Sequence, residues 1–182
     1  PKINLFLERV QDIINRQSAV LYPNLKTILV HCWRGGMRSE KFARMLNEHG
    51  YKTDTLIRGY KAYRHSVLES FSNNVRICIV GGETGSGKTE ILRKIAERGE
   101  QVIDLEAIAH HKGSAFGSLG EEPQPTHEQF ENDLAFAFGK LDFSKRIWLE
   151  DESRNIGRTQ IPLFLWQKMK QAPIFRVSIP KY

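Results

Sequence analysis

Apolar residues recur along this 182-residue chain at two spacings, one helical and one strand-like. Between Ile3 and Arg16, the positions Leu5, Phe6, Val10, Ile13 and Ile14 share one side of a 3.6-residue turn, which predicts an amphipathic helix. Thr27–His31 is a short apolar run expected to form a buried strand. Ser39–His49 returns to helical spacing through Phe42, Met45 and Leu46, and Gly50 is suited to the left-handed turn that ends a helix. Lys52–Ile57 is predicted as a second strand. Tyr60–Phe71 is predicted as a helix with Tyr60, Tyr63, Val67 and Phe71 along one stripe.

Ser72–Asn74 then interrupts the pattern and marks a domain junction. Val75–Val80 is a strand running straight into a Gly-rich turn, and Lys88–Arg98 continues as a helix that stops at Gly99. Gln101–Glu106 is a predicted strand, and 110–125 is a loop rich in Gly, Pro and Ser. Thr126–Gly139 is a predicted helix through Phe130, Leu134 and Phe138. Arg146–Glu150 is a strand, Ile161–Ala172 a helix with Pro162 near its first turn, and Pro173–Ile179 a closing strand. Strands alternating with helices predict two parallel α/β units, over residues 1–73 and 74–182. No internal repeat or low-complexity tract is visible.

Charge separates the two halves. Through Asn74 the chain carries 12 Lys and Arg against 6 Asp and Glu, whereas the remainder carries 15 of each, so the first part holds the whole net charge of +6. A basic part beside a neutral one points to a polyanionic partner, with nucleic acid as the leading candidate. No apolar tract reaches the roughly 18 residues of a membrane span, and nothing resembles a secretory leader. Two cysteines are too few for a disulfide scaffold. A reducing, cytoplasmic setting is therefore expected, with Cys78 an inert thiol inside an apolar strand. The absence of an initiator Met at Pro1 suggests a piece of a longer protein.

Cys32 has a chemical context that Cys78 lacks. It follows a strand and precedes a helix, where amide N–H groups and the positive helix end converge on one point. Arg34 and Arg38 add positive charge, and Gly35 and Gly36 let the backbone bend around an anion. These features favour thiolate over thiol and make Cys32 a nucleophile. The spacing fits both a cysteine phosphatase loop and a rhodanese-type sulfur-carrier loop. Cys32 through Arg38 spans seven residues, which favours the longer, phosphatase-like variety. The loop contains no evident general acid for a phosphate ester's leaving group.

Gly82-x4-Gly87-Lys88-Thr89 is a full phosphate-loop pattern in the strand-to-helix context it requires. Gly82, Gly85, Ser86, Gly87, Lys88 and Thr89 are the expected phosphate-binding residues, with the Thr89 hydroxyl available to Mg²⁺. Glu150, Asp151 and Glu152 follow the apolar strand where an acidic partner of such a loop would sit. Asp104 lies at the end of another strand. Asp104, Glu150 and Asp151 are thus candidate acidic or metal-assisting groups, and no metal ligand set is firm. On the residues alone, a cysteine phosphatase or sulfurtransferase fused to a P-loop small-molecule kinase remains an alternative.

The stretches HCWRGGMRS, GGETGSGKTE, VIDLEAIAHHKGSAFGSLG and IWLEDESRNIG together resemble the tRNA 2-selenouridine synthase family. The resemblance covers nearly the whole chain. It implies a partial rhodanese-like parallel α/β domain, incomplete on its N-terminal side, followed by a P-loop NTPase-like parallel α/β domain truncated on its C-terminal side. It further implies a tRNA-modifying transferase that exchanges the sulfur of wobble 2-thiouridine for selenium from selenophosphate, through an S-geranylated intermediate. In that case Cys32 handles the chalcogen. The Lys88 loop holds the diphosphate of geranyl diphosphate or of a nucleotide, with Mg²⁺ as a possible helper. Arg58, Lys61 and Arg64 are the expected contacts to tRNA phosphates, and an enzyme supplying selenophosphate is a possible partner.

Overall fold

Two parallel ladders organise the chain, each carrying one of the two glycine-rich loops at the carboxyl ends of its strands. The computed structural model describes residues 2–20, 27–83, 85–114 and 116–178. Thr84 of the phosphate loop, Ala115 of the Gly-rich loop and Ile179 of the predicted closing strand lie outside the described residues. The chain divides into two compact units, Pro1–Tyr63 and Arg64–Tyr182.

In the first unit, helix α1 (Lys2–Val20) precedes strand β1 (Ile28–Val30), helix α2 (Met37–Glu48) and strand β2 (Thr53–Thr55), and helix α3 (Gly59–Ser70) begins here. Strands β1 and β2 pair in parallel, Ile28 opposite Thr53 and Val30 opposite Thr55. Val30, Ala43 and Leu46 form a small buried core, against which Leu7, Val10, Phe42, Met45 and Tyr51 pack. Phe6 meets Phe42 edge-on at 5.1 Å between ring centres. The predicted stripe of α1 is therefore only half buried: Phe6, Val10 and Ile14 are partly covered, while Leu5 and Ile13 are more than half exposed.

Helix α2 starts at Met37, two residues earlier than its apolar spacing predicts. The reason is local. Gly36, at φ 138°, takes the N-cap, and the Ser39 hydroxyl three residues on accepts from its N–H at 3.3 Å and donates to its carbonyl at 3.0 Å. Met37 and Arg38 consequently belong to the first helical turn rather than to the loop.

The second unit holds a four-stranded parallel sheet in the order β4 (Gln101–Val102), β5 (Arg146–Glu150), β3 (Arg76–Gly81), β8 (Ile174–Arg176). Its central strands are covered on both faces, as parallel strands require: Ile77, Ile79, Val80, Ile147 and Leu149 are all buried. Helices α4 (Lys88–Glu97), α6 (His127–Phe138) and α7 (Leu163–Gln171) complete the layers. Thr126 caps α6, accepting from Gln129 N at 3.1 Å. Phe130, Leu134 and Phe138 lie fully in the core, where Phe138 meets Phe71 edge-on. Among the described residues, no helix is long and apolar enough to cross a membrane.

Two sequence expectations change here. The strand predicted over Gln101–Glu106 ends at Val102, and Asp104 instead caps the short helix α5 (Leu105–Ala109), its carboxylate accepting from Ala107 N at 2.7 Å. An Asp followed by helix-forming residues makes a better N-cap than a strand end. Pairing is also not parallel throughout, because β6 (Asn155–Ile156) and β7 (Thr159–Gln160) form an antiparallel hairpin. Gly157, at φ 58°, makes its two-residue turn. The Gln124 amide seals that hairpin, donating to Ile156 O at 3.1 Å and accepting from Arg158 N at 3.0 Å.

Candidate active sites

The cysteine site is assembled by two turns pressed together. Cys32 follows β1 after a single residue, so its sulfur sits at the carboxyl end of a parallel strand and ahead of α2. The carbonyls of Cys32 and Trp33 accept from Tyr60 N at 2.9 Å and Lys61 N at 2.8 Å, tying the loop to the start of α3. Gly35 and Gly59, both left-handed, let the backbones approach closely enough that neither position has room for a side chain.

Cys32 is partly buried, and its thiol pKa is lowered. The Ser39 hydroxyl, 3.5 Å from Sγ, is the chief cause, helped by the amides of Ser39, Arg34 and Gly35 and opposed by burial. The Ser39 hydroxyl has one hydrogen and two claimants, the Gly36 carbonyl and the sulfur, and a negatively charged sulfur is the stronger acceptor. Arg34, Arg38, Arg58 and Lys61 are exposed around the loop. Cys78 behaves oppositely, since burial in β3 raises its thiol pKa. Of the two cysteines, Cys32 is the one whose pKa is lowered.

Arg64, expected with Arg58 and Lys61 to face phosphates, is otherwise engaged. Its guanidinium is largely buried, ion-paired with Glu131 and bonded to Asn132 Oδ1 at 2.5 Å. Glu131 also lies 3.3 Å from His127 Nε2.

The phosphate loop joins β3 to α4. Gly87 caps α4 in a left-handed conformation (φ 83°) without any side-chain cap, leaving the first-turn N–H groups for an anion. The Lys88 ammonium folds back onto the Gly82 carbonyl at 3.0 Å and that of Glu83 at 3.3 Å. Ser86 Oγ is buried without a hydrogen-bond partner. A Cβ on Gly82 would lie 2.5 Å from that oxygen, so only glycine fits there. The loop opens on a cleft of about 660 Å³ lined by Gly82, Gly85, Gly87, Lys88 and Thr89 on one side and by Glu106, Gly113, Asp151 and Glu152 on the other.

Register explains why the acids face this loop. Val80 pairs with Glu150, and Asp151 N donates to Val80 O at 2.9 Å, so β3 and β5 end side by side. Ile103 N donates to Trp148 O, which brings the α5 cap to the same edge. Carboxylate oxygens of Glu106, Glu150 and Glu152 lie within 4.8 Å of one another. Glu150 is 1% exposed and neither of its carboxylate oxygens has a partner. Burial, then the charges of Asp104, Glu106 and Glu152, push its pKa up to about 8. Glu152 is raised to about 7, by burial first and then by Glu106, while Lys88 pulls the other way.

Three crowded carboxylates, of which Glu150 has both oxygens unpartnered, fit a divalent cation, hard and oxygen-seeking. Sequence reasoning picked out Asp104, Glu150 and Asp151. Of these only Glu150 joins the cluster, Asp104 being a helix cap that acts on it through space. Glu106 was not among the expected site residues, whereas Glu152 was noted with Glu150 and Asp151 at the end of the apolar strand. Glu106 carries one available signal, its place two residues after a capping Asp, which turns it toward the same strand edge.

A strand entering a Gly-rich cradle, with carboxylates at the ends of adjacent parallel strands, defines a P-loop α/β protein. Residues 75–181 match the family model described as tRNA 2-selenouridine synthase AAA domain, and the chain belongs to that family. It is similar to proteins named tRNA 2-selenouridine synthase from several bacteria. That of Nitrosomonas eutropha is 35% identical over 93% of this chain and 45% of the relative. Those of Bdellovibrio bacteriovorus and Shewanella piezotolerans are 40% and 42% identical, over 98% and 83% of this chain and 49% and 41% of the relatives. The chain thus spans just under half the length of these curated relatives. No solved structure matches it.

Proposed function

We propose that this chain carries the two anion-handling parts of a tRNA 2-selenouridine synthase, a transferase that replaces the sulfur of wobble 2-thiouridine with selenium from selenophosphate. The observation that carries this reading is the joint presence of an activated Cys32 and an intact phosphate loop in a chain whose second part matches the family. In this reading the partial rhodanese-like part lies within the first compact unit and the P-loop domain within the second, so the boundary is drawn at Tyr63–Arg64 rather than at the expected 73/74. The setting is the cytoplasm, where both cysteines stay reduced.

In this reading Cys32 is the chalcogen-handling group, with Arg34 and Arg38 holding the phosphate-like donor over the amide ring. The seven-residue span from Cys32 to Arg38 suits selenophosphate, an anion of phosphate size. The cradle of Gly82, Gly85, Ser86, Gly87, Lys88 and Thr89 takes the diphosphate of geranyl diphosphate. Forming the carbon–sulfur bond to 2-thiouridine breaks the carbon–oxygen bond and releases diphosphate. Lys88 and the α4 amides stabilise that departing charge. Mg²⁺ would be held by Thr89 and the Glu150 and Glu152 carboxylates, where it supplies charge neutralisation. Arg58 and Lys61 face tRNA phosphates, with the basic excess of the first part behind them. A selenophosphate-supplying enzyme is the natural partner.

The full-length protein, given 2-thiouridine tRNA, geranyl diphosphate and selenophosphate, tests this by nucleoside mass. Lys88→Ala is expected to stop before the geranylated nucleoside, and Cys32→Ser to accumulate it. Steady aryl phosphate hydrolysis that vanishes in Cys32→Ser, with no change in nucleoside mass, would favour a phosphatase instead.

A further inference from the structure

The cysteine loop displays rings as well as charges. Tyr60 stacks on His31 (5.6 Å between centres, 29° between planes) and lies 6.0 Å from Trp33 and 5.7 Å from Tyr63. Trp33 is 55% exposed and Tyr63 39%, so two rings of this ladder face water while Tyr60 backs them. Met37 and Ile57 are more exposed still, and they flank the same two abutting turns, whose contact is Gly35 against Gly59. A tryptophan, a methionine and an isoleucine exposed together on two braced turns make an apolar surface suited to a partner.

The bracing fixes the rings relative to the sulfur. Trp33 is the residue after Cys32, and the hydrogen bonds from Tyr60 N and Lys61 N hold the Cys32 and Trp33 carbonyls to the start of α3. Exposed cations, Arg34, Arg58 and Lys61, stand on the same turns. Aromatic faces interleaved with basic side chains are how proteins hold unpaired nucleotides: cations follow the backbone and each base stacks on a ring.

We infer that Trp33 and Tyr63, backed by Tyr60, form a stacking platform that holds an unpaired RNA base beside the Cys32 loop. This rests on the proposed RNA substrate and deepens it, because it requires the base to leave its own stack before Cys32 can serve it. Trp33 is a positioning residue and takes no part in bond making.

The test is binding of a labelled anticodon stem–loop carrying 2-thiouridine, against the same strand annealed to its complement, by anisotropy at several salt concentrations with the full-length protein. Trp33→Ala is expected to weaken stem–loop binding roughly tenfold, to leave duplex binding alone, and to keep the parent's salt slope. Trp33→Phe restores stem–loop affinity to near the parent value. Tyr63→Ala gives a smaller loss of the same kind, whereas Lys61→Ala lowers the salt slope for both RNAs. Equal stem–loop affinity in parent and Trp33→Ala overturns the platform while leaving the RNA reading intact. A parent protein that binds neither RNA overturns both.

Discussion

Gly35 and Gly59 meet back to back: a β-carbon added to Gly59 would stand 2.2 Å from Gly35 N, and one added to Gly35 would stand 2.5 Å from Gly59 N. Both carry positive φ, 66° and 64°, so a side chain there is strained even before it collides. The contact presses the cysteine loop onto the α3 start. Gly59→Ala is expected to destabilise the protein by several kcal/mol, roughly 1–2 from the backbone conformation and the rest from separating the two turns. Alkylation of Cys32 should slow in the same variant, because the amides lose their aim. A melting temperature equal to the parent's would refute the contact.

The Ser39 hydroxyl is the principal support of the Cys32 thiolate. Ser39→Ala should therefore move the inflection of iodoacetamide reactivity against pH upward and cut the rate at neutral pH. Removal of the Gly36 cap bond adds about 1 kcal/mol of destabilisation. Cys78, whose pKa lies on the other side of the ordinary value, should show no such response. An unshifted Cys32 inflection in Ser39→Ala would count against this arrangement.

Lys88 reaches the cleft from the first turn of α4, and its ammonium is bonded to the Gly82 carbonyl of the cradle. Lys88→Ala is expected to weaken inorganic diphosphate binding by a hundredfold or more in calorimetry, while Cys32 alkylation keeps the parent rate. Retained diphosphate affinity would exclude the loop as the binding site.

Glu150 gives a pH signature of definite sign. Its folded pKa, about 8, lies above the unfolded value near 4.5, so the folded state binds the proton more tightly. Stability from this group is complete below the unfolded value and is lost as pH rises toward 8, amounting to a few kcal/mol in all. Glu150→Gln should melt increasingly above the parent as pH rises from 5 to 8, with the difference levelling off beyond. Mg²⁺ or Mn²⁺ should raise the melting temperature of the parent at pH 8 and have much less effect on the variant. A difference that stays constant with pH would show Glu150 to be already ionised and paired.

Arg64 and Lys61 occupy one helix and make opposite predictions. Arg64→Ala leaves Glu131 buried without its partner and is expected to cost roughly 3–5 kcal/mol, seen in denaturant melts. Lys61→Ala should cost almost nothing in stability, because its side chain is exposed.

The sequence made the strand-to-loop-to-helix frame legible at both sites because the apolar runs before Cys32 and Gly82 and the glycines after them are local signals. The helix over 127–138 was legible to within a residue at each end for the same reason, expected as Thr126–Gly139. What escaped was set by distant pairing. Asp104 reads as the end of an apolar strand, yet its carboxylate finds Ala107 N and turns the chain into α5. Glu106 and Glu152 are 46 positions apart in sequence and become neighbours only through the register of β4 on β5. Ser39 reads as the first residue of a helix, although its partner is the sulfur seven residues earlier. Arg64 reads as a surface cation because nothing local announces Glu131.

The resting position of Lys88 has its own consequence for which ligands the cradle admits. The ammonium has two carbonyl oxygens as partners, those of Gly82 and Glu83. An incoming ion must outcompete both, and it shifts the lysine only by the difference in affinity between the two poses. A chloride or a carboxylate offers one charge in exchange for two dipoles, whereas linked phosphoryl groups offer several charges at once. The loop thus ranks anions by valence before any shape is felt.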